Sequence, residues 1–130
     1  MSNKEFELSS LVNKAVQNRR SNDDQTYVVD IIAALLNGGP GGIQRAEALR
    51  TIERSRRESG LKVPRNFENA VQGEFNRHCG SSAVFKRSGR PGDDLFESRH
   101  DDRNTAFWSV DVERAMFWLA ERIPQLRLPR

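Results

Sequence analysis

The spacing of apolar residues changes once along this chain, near residue 79, and that change narrows the folds open to it. Before that point, apolar side chains recur every three or four residues, as in amphipathic helices. After it, short apolar runs alternate with turn residues, as in strands, until helical spacing returns beyond residue 110. The sequence therefore predicts an α+β fold in which several helices precede a small hairpin.

Five segments have apolar residues at helical spacing and are predicted to be helices: residues 5–19, 25–37, 43–59, 66–79 and 111–123. The second is the most apolar and is expected to lie in the core. The glycines and the proline that follow it end that helix. The third has an apolar stripe, and its arginines, Arg56 included, are expected to be solvated. This stripe consists of Ile43, Ala46, Leu49 and Ile52.

Three short runs are predicted to be strands: residues 83–85, 95–97 and 106–110. The basic segment 86–93, with two glycines and a proline, is the predicted tip of the hairpin between the first two. Three helices followed by a hairpin is the order of a winged helix-turn-helix, here with an extra helix at each end. In that fold the third helix enters the major groove, and the hairpin tip contacts the DNA backbone or the minor groove.

The predicted helix at residues 66–79 has two chemically different sides. Its phenylalanines and valine fall on one side, and amides and cations fall on the other. Amides can bond adenine bidentately, and arginine reads guanine or holds phosphate, so the polar side suits DNA; the alternative is an idle, solvated surface. Asn66 is the predicted N-cap, and base readout is predicted for Asn69, Gln72 and Asn76. Phosphate contacts are predicted for Arg65, Arg77, Lys86, Arg87 and Arg90.

The string NFENAVQGEFNRHCGSSAVFKRSGRPGDDLFESR, followed by AFWSV, resembles the winged-helix domains of the HARE type. Those domains accompany bacterial restriction endonucleases and some HNH endonucleases. The matching positions are mostly apolar: Phe67, Val71, Phe75, Arg77, His78, Ser82, Phe85, Asp94, Leu95, Phe96 and Trp108. The resemblance covers residues 26–110 and implies the fold more strongly than it implies an activity.

Charge and cysteine content limit the classes of function. The chain has 21 Lys and Arg against 18 Asp and Glu, which gives mild support for a polyanionic partner. Its single cysteine, Cys79, rules out an internal disulfide and a paired-cysteine zinc site, and a reducing cytoplasm is expected. No apolar run is long enough to span a membrane, so no membrane partner is expected.

Catalytic chemistry is not expected. The adjacent residues His78 and Cys79 would point about 100° apart on a helix and could not form a nucleophile pair. The carboxylates of residues 93–97 lie too close together on one strand to surround a metal ion. The sequence therefore predicts no enzyme, no metal and no cofactor.

The terminal helices exceed what a winged helix needs. We predict an N-terminal helix and linker at residues 1–25, a winged-helix domain at 26–110, and a C-terminal helix and tail at 111–130. The apolar residues of these helices must be buried somewhere, either against their own domain or in a homodimer, which we favour. The predicted dimer contacts are Leu8, Leu11, Val12, Met116, Phe117 and Trp118.

Together these features predict a cytoplasmic protein that binds double-stranded DNA sequence-specifically, as a small transcriptional regulator of a bacterial, phage or mobile-element system. Two alternatives remain. One is an adaptor that binds protein through its terminal helices. The other is the DNA-recognition subunit of a restriction or defence system.

Overall fold

Helices make up most of the structure, a computed structural model that describes residues 3–17, 25–39 and 41–122. The strands form one antiparallel sheet in the order β1–β3–β2, which confirms the predicted α+β class. In chain order the elements are α1 (Asn3–Gln17), α2 (Gln25–Leu35), β1 (Ile43–Gln44), α3 (Arg45–Glu58), α4 (Phe67–Arg77), α5 (Ala83–Ser88), β2 (Phe96–His100), β3 (Ala106–Val110) and α6 (Val112–Arg122).

The core is centred on α2, which packs against α1, α3 and α4 and also touches β3. Val28, Ile31, Ile32 and Leu35 are buried at the spacing that predicted this helix. The helix ends at Leu35, two residues before its predicted end, and the backbone then turns so that the Gly38 N–H donates to the Leu35 carbonyl at 3.0 Å. No helix in the described ranges has the length and apolar content needed to cross a membrane.

The third helix begins two residues later than predicted, because Ile43 and Gln44 pair with β3 instead. Gly42 allows this approach. Its φ is +81°, and a Cβ there would lie 2.5 Å from the carbonyl oxygen of Trp108. The predicted stripe of α3 is also corrected at one position, since Ala46 is exposed and Ala48 is buried in its place.

The expectation that Arg56 is solvated is wrong. Its side chain is fully buried, and Nη1 donates to Oδ2 of the buried Asp30 at 2.6 Å. The guanidinium also lies 4.8 Å from the ring centre of Tyr27. Burial follows from position, because Arg56 continues the apolar side of α3 four residues after Ile52. An ion pair therefore joins α2 to α3 inside the core.

The strand predicted at residues 83–85 is wrong, because these residues begin the short helix α5. The Ser82 hydroxyl caps that helix by accepting from the Phe85 N–H at 3.1 Å. The predicted basic hairpin tip is therefore split between α5 and the loop after it. The hairpin of the fold is formed by β2 and β3, near the other two predicted strands, and its turn is residues 101–105.

The two flanking helices pack on the rest of the chain. Contacts join α1 to both α2 and α6. Leu8, Leu11, Val12 and Trp118 belong to the same buried cluster as the residues of α2. This burial removes the reason for expecting them at a dimer interface; the dimer itself stays a prediction.

Candidate nucleic-acid interface

The orientation of α4 is set by aromatic packing on its apolar side. The ring of Phe75 stacks on Trp108 at a centroid distance of 3.9 Å and on Phe96 at 5.2 Å. At the start of the helix, Phe67 meets Tyr27 edge-on at 6.0 Å. Because these contacts hold one side of α4 against the sheet and α2, its other side faces outward.

Most of the predicted DNA-contacting side chains are exposed: Arg65, Asn66, Asn69, Arg77, Lys86, Arg87 and Arg90. Gln72 and Asn76 are half-buried. Asn66 occupies the predicted cap position, but its side chain makes no capping hydrogen bond, so its amide is not used to hold the helix.

Gln72 and Asn76 are connected by hydrogen bonds to Arg45, which the sequence did not indicate as part of the site. Nε of Arg45 donates to Oε1 of Gln72 at 2.5 Å, and Nε2 of Gln72 donates to Oδ1 of Asn76 at 2.9 Å. The Arg45 guanidinium also lies 5.8 Å from the ring centre of Trp108. We call these three side chains the amide relay. It connects the start of α3 to the polar side of α4.

The cations near α4 differ in how far their charges are balanced. Arg77 forms an ion pair with Glu74, and Arg90 lies 3.6 Å from Asp93 and 3.8 Å from Glu121. Among the described residues, three exposed cations of the predicted set have no ion-pair partner: Arg65, Lys86 and Arg87. These three therefore offer the least neutralised positive charge to a polyanion.

The turn of the β2–β3 hairpin is ordered by Asp101. Its Oδ1 accepts from the backbone N–H groups of Thr105 and Arg103, each at 2.9 Å. The bond from the Thr105 backbone holds the pKa of this exposed carboxyl below its ordinary value. The turn contains two carboxylates and one arginine, so the hairpin tip is not the basic element that was expected.

The end of the hairpin nearest its turn is tied to the glycine-rich loop after α2. Nε and Nη2 of Arg99 donate to the Gly41 carbonyl at 3.2 and 2.9 Å. The same guanidinium lies 4.7 Å from the ring centre of Phe107. Arg99 therefore serves as a structural tie in this face of the sheet, a role that no local pattern around it indicates.

His78 and Cys79 are both used in packing. Nδ1 of His78 lies 3.0 Å from the Asp93 carbonyl oxygen, and its ring meets Phe96 and Trp118 edge-on. Cys79 is buried, with Sγ 3.4 Å from the Ser81 hydroxyl. In the described ranges, no group of three His, Cys, Asp or Glu side chains is arranged to hold a metal ion.

No family model, curated protein or solved structure matches this chain. The resemblance to HARE-type domains therefore stays a prediction.

Proposed function

We propose that the protein binds double-stranded DNA sequence-specifically through a winged helix-turn-helix in which α4 enters the major groove. The observation that carries the proposal is the division of α4 into a side clamped by aromatic rings and an outward side of amides and cations. Amides and guanidinium groups on one exposed helix face are the groups that read base edges and hold phosphates.

The order of elements supports this assignment. A helix, a short strand, three helices and a hairpin follow one another from α2 to β3, and the first strand pairs with the last. This order is compatible with a winged helix in which α2, α3 and α4 would be the three helices and the β2–β3 hairpin the wing. The short α5 is an addition between the recognition helix and the wing.

The positions of the cations change which residues we expect to contact the DNA phosphates. The proposal assigns phosphate binding to Arg65, before α4, and to Lys86 and Arg87 on α5, rather than to the tip of the wing. It applies equally to a small transcriptional regulator and to the DNA-recognition subunit of a defence system, because both functions use the same interface.

The test is binding to a randomised duplex library at two salt concentrations. Lys86→Gln and Arg87→Gln should each weaken binding to all sequences alike and reduce the salt slope by about one. Arg54→Gln, which removes an exposed arginine of α3 outside the proposed set, is the matched control and should change neither quantity. Absence of salt-dependent duplex binding by the parent protein would reject the proposal.

A second candidate function is protein binding through α6, and one observation favours it. Phe117 is 73% exposed and is the only large hydrophobic residue so exposed in the described ranges. It lines a cavity of about 490 Å³ between α6 and residues 90–93. Phe117→Ser should abolish binding of a protein partner at α6 and leave DNA binding unchanged, so the two functions can be separated.

A further inference from the structure

We infer that the amide relay makes Asn76 a hydrogen-bond donor toward DNA, and that Asn76 therefore selects guanine over adenine. The inference rests on the proposed function and deepens it, because it names the base that one residue reads. It depends on the direction of two hydrogen bonds within the relay.

The direction is set by Arg45. A guanidinium group has donors and no acceptor, so the atom of Gln72 that faces Arg45 must be its carbonyl oxygen. The amino group of Gln72 then faces Asn76, and the atom of Asn76 that receives it must be Oδ1. Neither amide can be reversed without losing a hydrogen bond and setting like atoms against each other.

The amino group of Asn76 is available to donate hydrogen bonds to a ligand. Within the described part of the chain, no group accepts a hydrogen bond from Nδ2 of Asn76, whereas Oδ1 is turned toward Gln72. The side chain is held before DNA arrives, which reduces the conformational entropy lost on binding.

The surroundings of Asn76 allow a close approach. Asn69, Gly73 and Asn76 recur at intervals of four and three residues and so share one side of α4. A Cβ at Gly73 would meet nothing within 4 Å, so the helix surface between the two asparagines is open. A base edge can reach Asn76 there without displacing another side chain.

The preference for guanine over adenine follows from the groups that each base presents in the major groove. Guanine presents two adjacent acceptors, N7 and O6, in the major groove, whereas adenine presents the acceptor N7 beside the donor N6. A free asparagine pairs with adenine by using its oxygen and its amino group together. With Oδ1 turned toward Gln72, Asn76 offers donors, which suit guanine and leave the adenine N6 group unpaired.

Gln72→Glu is the decisive variant because it reverses the relay. A carboxylate only accepts, so Glu at this position would still accept from Arg45 but would require Asn76 to turn its amino group inward and its oxygen outward. Preference at one base pair should then move from guanine toward cytosine or adenine, by about fivefold or more. Arg54→Gln lowers the net charge by the same one unit at an exposed position outside the proposed interface and should leave that base pair unchanged.

Two measurements keep the inference separate from the function it rests on. Selection from a randomised duplex library measures base preference, and NMR of the free protein measures the side-chain amide protons of Asn76. In Gln72→Glu these protons should acquire a hydrogen-bonded shift and exchange more slowly with water. If the parent binds DNA and both variants keep its preference, the inference is wrong while the function stands. If the parent binds no DNA, the function is rejected, and unchanged Asn76 protons in Gln72→Glu would then reject the relay as well.

Discussion

Asp30 and Arg56 form an ion pair whose side chains have almost no access to water. Removal of Asp30 takes from the buried guanidinium the carboxylate to which its Nη1 donates. Asp30→Ala should therefore lower the free energy of unfolding by about 3–5 kcal/mol in urea denaturation.

Two further variants test the cause of that loss. The double variant Asp30→Leu with Arg56→Met removes both charges and should recover most of the loss. Arg57→Met breaks the exposed pair with Glu53 and should cost less than about 1 kcal/mol. A small effect of Asp30→Ala would show that the charge of Arg56 is compensated without Asp30.

The turn at Asp101 should respond to acid in a definite direction. Its ionised carboxylate accepts the N–H bonds, and its folded pKa is lowered, so the stabilisation is complete above the ordinary pKa of roughly 3.9 and is lost as pH falls through the lower folded pKa. The NMR shifts of the Thr105 and Arg103 amides should titrate with a midpoint below the ordinary value. Asp101→Asn keeps an acceptor and should remove this titration; a midpoint at or above the ordinary value would contradict the account.

At the scale of elements, α4 contains a residue that a stable helix does not favour. Gly73 lies in its interior, and an added Cβ would be unobstructed. Gly73→Ala should therefore raise the free energy of unfolding by about 0.5–1 kcal/mol, seen as a higher Tm. If this side of α4 lies against DNA, the same variant should weaken duplex binding. A variant that is more stable and binds DNA unchanged would place the DNA elsewhere.

Elements that bury one face could be predicted from spacing, and those that depend on distant partners could not. The five longer helices, α1, α2, α3, α4 and α6, and the strand Ala106–Val110 follow from their own residues. The strand Ile43–Gln44 exists because β3 lies beside it, which no local pattern reveals. At residues 83–85, Val84 and Phe85 favour a strand, but the cap from Ser82 directs the backbone into a helix.

The features of the candidate site also fall into those that could be predicted from local spacing and those that depend on distant residues. The amides of α4 could be predicted as a group because they share one helix side. Their mutual orientation could not, since it depends on Arg45, which lies 27 residues before Gln72. The expectation for Arg56 failed for a related reason: the charge alone suggests solvent, and only its place on the apolar side of α3, together with Asp30 on α2, indicates burial.

At the scale of the whole molecule, the structure changes where the predicted homodimer interface can lie. Leu8, Leu11, Val12 and Trp118 are buried inside the chain, so we place the predicted homodimer interface on the exposed part of α6, around Phe117. Trp118→Glu should therefore unfold the protein, whereas Phe117→Glu should remain folded. Sedimentation at micromolar concentration tests the dimer: a parent mass near 14.8 kDa would reject it, and a dimeric parent should become monomeric in Phe117→Glu.

The order of the strands in the sheet also affects how the chain folds during its synthesis. β3 lies in the middle of the sheet, yet it is the last of these three strands to leave the ribosome. Until it emerges, β1 and β2 have no common partner, and Phe75 lacks the indole on which it stacks. The apolar side of the proposed recognition helix is therefore only partly covered, and prone to aggregation, until β3 has emerged from the ribosome.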